Sequence, residues 1–266
     1  MKIDLQGASN TRDLGGIQTP FGTIKYGKLL RSGELSRLTK SDVETLAQIP
    51  LCRIVDLRTE AEMTNCADVH MQNVAVVNVP IIRSTTFGIT FESASGPEIA
   101  QKMDAGLKRM QERGETYLEH MEILYRKFVN DDYSRQGYGE FLKLLAERPT
   151  QGATLWHCSV GKDRCGTCTA LLLHCLGASR EQIMEDYLLT NTQMSNSRKQ
   201  VLDRASQYAP AEYLPMLTKM LSASADYLVA FWKEIDKNYG NTDNFVKQCG
   251  VTNQHIAQLR QNYLEN

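Results

Sequence analysis

Short apolar runs alternate along the chain with longer stretches whose apolar positions recur every three or four residues, the pattern of strands interleaved with helices. Ile24 to Arg31 includes Leu29-Leu30 and predicts a strand. In the following Thr39-Lys40-Ser41-Asp42-Val43-Glu44, Ser41 and Glu44 have the spacing of a capping box for a short helix ending near Pro50. Cys52 to Leu57 and Val74 to Pro80 read as buried strands. Between Ile82 and Gly96 the chain turns polar and small, and from Pro97 to Asn130 it becomes helical. There Tyr117, Met121, Leu124, Tyr125 and Phe128 form a core-facing stripe. A strand over Ala153–Trp156 precedes a helix containing Thr169–Leu173. Ser179 and Gln182 then cap another helix, and the rest is helical, punctuated by Gly240 and Gly250. This alternation predicts an α/β domain with a parallel, helix-covered sheet. The segment at about 83–114 is a candidate helical lid or substrate wall, with an ordinary packing helix as the equal alternative.

With 266 residues, 42% of them hydrophobic, the chain can form one large domain, here read as a single domain over 1–266 with that insertion. A net charge of −1 gives no support for nucleic-acid binding. No apolar stretch is long enough to span a bilayer. The first residues, Met1-Lys2-Ile3-Asp4-Leu5-Gln6, do not resemble a signal peptide, although a mature form with its signal removed would look the same. Seven cysteines without the spacing of a disulfide scaffold make a reducing cytoplasm the default expectation, with export of a mature form left open. Oligomeric state is not legible.

One segment changes the picture. His157-Cys158-Ser159-Val160-Gly161-Lys162-Asp163-Arg164 joins the Ala153–Trp156 strand to the helix that follows. A tight loop there turns successive backbone N–H groups inward, and the helix start adds about +0.5 of a charge, so an anion of phosphate size fits. The same field lowers the pKa of a thiol, making Cys158 a nucleophile beneath the phosphate. Arg164 offers a planar fork matched to two phosphate oxygens. Ser159, Val160, Gly161 and Lys162 supply the rest of the cradle. A nucleotide-binding P-loop does not fit, because Trp156 and Asp163 stand where that motif needs glycine and a hydroxyl residue. A buried structural cysteine is the bland alternative, but it leaves three consecutive charges, Lys162-Asp163-Arg164, without a reason.

His-Cys-x-x-Gly-Lys-Asp-Arg-x-Gly resembles the loop of the atypical bacterial tyrosine phosphatases that also act on phosphoinositides, a group with a mycobacterial member. Asn10-Thr11-Arg12-Asp13-Leu14-Gly15-Gly16 is similar to the N-terminal signature of that group. Arg31-Ser32-Gly33-Glu34-Leu35 and Asp56-Leu57-Arg58-Thr59-Glu60, with Glu62 or Glu60 as the acid, are similar to its next blocks. Tyr239-Gly240 and Gly250-Val251-Thr252 look like its C-terminal turns. The resemblance implies the cysteine-phosphatase fold, a mainly parallel twisted sheet with helices on both faces. It implies hydrolysis of phosphotyrosine, and of phosphoserine, phosphothreonine and phosphoinositides as further substrates, through a phosphocysteine. It also implies no cofactor and no metal, and histidines scattered at 70, 120, 157, 174 and 255 agree with that. Cys158 would attack phosphorus, Arg164 and the loop amides would hold the equatorial oxygens, and Asp163 would be general acid and then base. The alternative for Asp163 is pairing with Arg12 or Arg58. Lys162 would add a second cation for a polyanionic headgroup. His157 is expected to order the loop and tune the thiolate. Arg12, Asp13 and Arg58 are candidates for pairing near the pocket.

One position departs from the group's pattern: Cys165 stands where the family usually has threonine. Its thiol is a weaker hydrogen-bond donor to the nucleophilic sulfur, so slower breakdown of the phosphoenzyme is expected unless Thr167 or a water substitutes. A protective Cys158–Cys165 disulfide is a second expectation. Rival readings remain open: a phosphate-binding pseudophosphatase, a thiol–disulfide oxidoreductase using Cys165-Gly166-Thr167-Cys168, or a zinc site built from Cys158, His174 and Cys175.

Overall fold

The computed structural model describes residues 1–84, 86–89, 96–147, 151–208 and 210–266. The N-terminal part contains β1 (Arg12–Asp13), β2 (Gln18–Thr19), β3 (Gly22–Ile24), β4 (Leu29–Ser32), α1 (Lys40–Gln48), β5 (Leu51–Asp56), α2 (Glu60–Asn65) and β6 (Ala75–Asn78). Three helices follow, α3 (Gly96–Arg113), α4 (Tyr117–Asn130) and α5 (Asp132–Glu147), and then β7 (Ala153–His157) and α6 (Asp163–Leu176). The chain closes with α7 (Arg180–Gln193), α8 (Ser195–Ala205), α9 (Leu214–Met220), α10 (Ala225–Tyr239), α11 (Thr242–Gln248), α12 (Asn253–Tyr263) and β8 (Leu264–Glu265).

The central sheet has the order β1-β4-β7-β5-β6. Its last four strands are parallel, and β1 lies antiparallel on the β4 edge. Strand β7 shows why the sheet needs cover on both faces. Ala153 and Leu155 enter one core with Leu30, Leu46 and Ile54, while Trp156 enters the larger core of α4, α5, α6 and α10–α12. The Trp156 indole packs edge-on against Phe141 and donates to Thr169 Oγ1 of α6 at 3.1 Å. The small sheet β2-β3-β8 ties the C-terminus to the N-terminal part. This is the mixed α/β architecture expected, with helices on both faces of a mainly parallel sheet.

Several local readings shift. The stretch expected as one strand from Ile24 to Arg31 is broken. The chain turns at Gly27, with φ +66°, where the Asp13 carboxylate accepts its amide at 2.7 Å, and restarts as β4. The capping box of α1 is Thr39 with Asp42, not Ser41 with Glu44. Asp42 wins because its buried carboxylate also accepts the amides of Gln6 and Gly7, at 2.7 and 2.8 Å, so one side chain caps the helix and anchors the N-terminal segment. The helical stretch after residue 96 is two helices, parted at Gly114 (φ +64°). Of the candidate insertion at 83–114, residues 85 and 90–95 lie outside the described residues, and α3 packs against α8. The Tyr117–Phe128 stripe is buried, and Ser179 with Gln182 caps α7 as read.

The parallel register sets Ser32, Asp56 and His157 side by side at the carboxyl ends of β4, β5 and β7. Open α/β sheets bind ligands at that edge, and here the loop of residues 158–162 leaves it.

Candidate active site

The loop carbonyls are fastened outward. Ser159 O accepts the Glu34 amide at 3.1 Å, Val160 O accepts Asn10 Nδ2 at 3.2 Å, and Gly161 O accepts Asn10 Nδ2 at 2.8 Å and Arg31 Nη2 at 2.7 Å. Because a trans peptide points its N–H opposite its C=O, these four bonds to three carbonyls turn the Val160, Gly161 and Lys162 amides inward. Gly161 has φ +70°, and a Cβ there would meet the Ser32 carbonyl at 2.5 Å, so only glycine lets the loop pass β4. Helix α6 begins at Asp163 and directs the positive end of its dipole at the same point. The result is an anion cradle.

Cys158 stands in it, 2% exposed. Burial works to raise the thiol pKa, but the Cys165 thiol, the Arg164 charge and the amides of Cys165 and Val160 outweigh it, and the pKa falls well below the ordinary value. Arg164 is clamped by Glu62, with Nη1 to Oε2 at 2.7 Å and Nη2 to Oε1 at 2.8 Å, and Nη2 also reaches Ser159 Oγ at 2.9 Å. Ser159 Oγ in turn donates to Glu62 Oε1 at 2.6 Å. A bidentate fork of this kind fixes the guanidinium plane before any ligand arrives. Of the two acids read from the sequence, Glu62 is the one that does this. It sits at N3 of α2 and also completes that helix's capping box with Thr59.

Glu62 gives a testable stability effect. Burial works to raise its pKa, but Arg164 and Ser159 hold it down at about 2, against 4.5 for an unperturbed glutamate. A depressed carboxylate stabilises the fold above pH 4.5 and loses that contribution as pH falls toward 2, on the order of 3 kcal/mol. Glu62→Gln, which strands the buried Arg164 charge, is expected to lower stability at neutral pH by about 3–5 kcal/mol. Its acid limb should also be shallower than wild type in urea unfolding across pH. Equal stability at pH 7 would show that the pair does not hold Arg164.

Asp163 meets neither Arg12 nor Arg58. Its Oδ1 accepts the Tyr125 hydroxyl at 2.8 Å, and that hydroxyl is 2.7 Å from the Tyr187 hydroxyl. Burial raises the Asp163 pKa and the Cys158 thiolate adds to the rise, against Lys162, Tyr125 and Arg164, so the proton is retained to higher pH than usual. Tyr227 and Tyr117 also stand near this carboxyl, and the Tyr117 hydroxyl is buried without a hydrogen-bond partner. In the sequence Tyr125 is marked only as part of a core stripe. Lys162 departs from the expectation of a second cation in the cradle. Its ammonium donates to the carbonyls of Met220 and Ser222, lies 3.7 Å from Asp163 and sits over the Tyr227 ring. It pins the α9–α10 connection to the loop.

The remaining candidates hold the loop from outside. Arg12 and Arg31 share the Asp186 carboxylate of α7, at 2.8 and 2.6 Å, and Arg12 also holds Asn10, whose amide bears on the loop. Asp13 does not join them: its carboxylate accepts the Gly15 and Gly27 amides and builds a turn. Arg58 pairs with Asp56 and Asp68, at 2.8 and 2.9 Å. His157 Nε2 lies 2.9 Å from Asp68, and although burial disfavours its charge, Asp56 and Asp68 raise its pKa. Asp56, Asp68 and His157 come close enough together to suggest a metal site, but the Arg58 guanidinium already occupies both carboxylates. Arg31 and Asn10 lie inside the sequence blocks quoted above, whereas Asp186, on α7, carries no local signal.

Cys165 abuts Cys158, and its thiol has a second acceptor, Ser32 O at 3.6 Å. Thr167 cannot take over. Its hydroxyl serves the Asp163 and Arg164 carbonyls at 3.2 Å and accepts from Tyr138 at 3.0 Å. Burial raises the pKa of both Cys165 and Cys168 well above the usual value, the opposite of what a Cys-x-x-Cys oxidoreductase requires. His174 pairs with Asp243 at 2.9 Å near the far end of α6, about 16 Å along the axis from the loop, so the imagined zinc ligands do not converge.

A thiol of lowered pKa in an inward-facing amide loop, an arginine clamped beside it and a buried carboxyl of raised pKa at the helix start meet at one edge of the α/β sheet, an arrangement able to receive a phosphate ester. The chain belongs to the tyrosine phosphatase family, which matches residues 3–265, and it is a hydrolase acting on phosphate monoesters. It is 27% identical to the triple specificity protein phosphatase PtpB of Mycobacterium tuberculosis, over 97% of both chains. It is 25% identical to a tyrosine-protein phosphatase of Nostoc commune, over 89% of this chain and 74% of the other. Among the described residues no helix is long and apolar enough to cross a membrane.

Proposed function

We propose that this chain hydrolyses phosphotyrosine in proteins through a phosphocysteine intermediate. The observation that carries the reading is the depressed Cys158 thiol facing the ring of inward amides, with Arg164 locked by Glu62. The Cys158 sulfur attacks phosphorus in line, the ester P–O bond breaks, and Asp163 gives its proton to the leaving oxygen. Water then attacks the phosphocysteine, passing a proton to the Asp163 carboxylate as the S–P bond breaks and phosphate leaves. Arg164 and the amides of Ser159 to Arg164 hold the equatorial oxygens as charge spreads over them. Tyr117, Tyr125 and Tyr227 around Asp163 suit an aryl ester. With Lys162 committed to Met220 and Ser222, the feature that favoured a polyanionic headgroup is spent inside the protein, so phosphoinositide, phosphoserine and phosphothreonine esters are comparison substrates. We assign one catalytic domain to the chain, with α3 as its helical insertion.

Cys165 shapes the second half-reaction. A thiol shared between Cys158 and the Ser32 carbonyl stabilises the departing thiolate less than a hydroxyl would, so hydrolysis of the phosphocysteine is the slow step. The same neighbour traps oxidation. Hydrogen peroxide converts the Cys158 thiolate to a sulfenic acid, and the Cys165 sulfur displaces its hydroxyl as water to form a disulfide.

Reduced protein given p-nitrophenyl phosphate in EDTA is expected to show a burst of p-nitrophenolate and, after acid quench, phosphate on Cys158. Cys165→Thr should shrink the burst, raise the steady rate severalfold and recover less activity on thiol treatment after peroxide. Unchanged burst and unchanged recovery would remove both roles of Cys165. No turnover with vanadate still bound would replace the enzyme by a phosphate-binding module.

A further inference from the structure

Beside the buried cradle a cleft of about 670 Å³ runs past Ser159 between the N-terminal segment and α8. Its walls are more polar than apolar. Gln193, Asn196 and Gln200 present side-chain amides, and the Gln193 Oε1 atom is buried with no hydrogen-bond partner. Such walls suit a ligand rich in backbone N–H and C=O groups.

The charge of the cleft is directional. Lys2 and Asp4 pair with each other, and Glu34 lies 3.8 Å from Arg58. Two guanidiniums remain. Among the described residues Arg204 has no carboxylate at ion-pair distance, and Arg37 faces only Glu34. Both are exposed, so they stand ready for a mobile anion without being needed by the fold.

Building on the phosphatase reading, we infer that this cleft binds an extended acidic peptide segment flanking the phosphorylated residue, with Arg37 and Arg204 reading its carboxylates. The cleft then sets substrate choice while the loop does the chemistry. It selects protein over lipid, because an array of amides along a channel complements a backbone, whereas a headgroup of clustered phosphates needs converging cations.

The test compares wild type, Arg37→Ala/Arg204→Ala and, as an independent change on an exposed wall residue, Gln200→Glu. Substrates are a phosphotyrosine peptide with Asp and Glu on both sides, the same peptide with Asn and Gln, p-nitrophenyl phosphate, and vesicles of phosphatidylcholine with a phosphoinositide. Both variants should raise KM for the acidic peptide about tenfold. Its kcat, the neutral peptide and p-nitrophenyl phosphate should be unchanged. Equal effects on both peptides, no effect on either, or an effect on vesicles alone overturns the proposal. Binding of the fluorescent acidic peptide to Cys158→Ser keeps the two readings apart. If wild type turns nothing over yet binding still depends on Arg37 and Arg204, the phosphatase reading fails and the cleft stands.

Discussion

Replacing Cys158 by serine is expected to remove hydrolysis of p-nitrophenyl phosphate and phosphotyrosine peptides, a loss of more than about 10⁴-fold. Inorganic phosphate should still bind. The argument rests on charge. The Arg164–Glu62 pair carries no net charge, so beyond the hydrogen bonds of Arg164 the pull on an anion comes from the inward amides and the α6 dipole, and any negative charge on Cys158 opposes it. The lowered pKa of Cys158 favours its thiolate, the nucleophile of the proposed mechanism, and that negative charge would repel an incoming phosphate dianion. A serine hydroxyl stays protonated near neutral pH, so the nucleophile disappears and the repulsion goes with it. Phosphate should therefore bind the variant at least as tightly as wild type by calorimetry. Retained turnover would place the nucleophile elsewhere. Lost binding together with lost stability would mean that the thiolate holds the loop open.

The sheet, the loop and the residues that the candidate site gathers on it were legible because each leaves a local mark. Strand β7 is a short, largely apolar run that is buried throughout, Gly161 is required by a close approach of two chain segments, and Cys158 and Arg164 are tied by a fixed spacing on one loop. What the sequence could not convey is pairing over distance. Arg12 meets Asp186 across 174 residues and Arg164 meets Glu62 across 102, and no periodicity reports such partners. Direction is equally hidden. Lys162 looks like a cradle cation from its position, yet a long flexible side chain goes where acceptors are, and those were the Met220 and Ser222 carbonyls. Asp13 sits in a quoted signature for a structural reason, because one carboxylate closes two turns. The α1 cap moved for a similar reason, a tertiary partner adding to a local preference.

These buried pairs converge on one task. Around the loop Arg12, Arg31, Arg58 and Arg164 are held by carboxylates and the Lys162 ammonium by carbonyls, while Asp163, with that ammonium 3.7 Å away, still keeps its proton to higher pH than usual. Asp163→Asn is accordingly expected to lower kcat on phosphotyrosine about 10²–10⁴-fold. The effect should be much smaller on p-nitrophenyl phosphate, whose leaving group departs readily as an anion. The pH profile carries the sign. The proposed mechanism needs Cys158 deprotonated and Asp163 protonated, so activity should rise through the lowered thiol pKa and fall as Asp163, with its raised pKa, loses its proton. The two limbs are apparent values of a coupled pair, because each charge raises the other group's pKa. Asparagine cannot titrate, so the falling limb should vanish while the rising limb stays. Tyr125→Phe, which removes a hydrogen bond to the carboxylate form, should shift the falling limb to higher pH without abolishing turnover. An Asp163→Asn variant that keeps both limbs, or that loses as much rate on p-nitrophenyl phosphate as on phosphotyrosine, would show that the proton comes from another group.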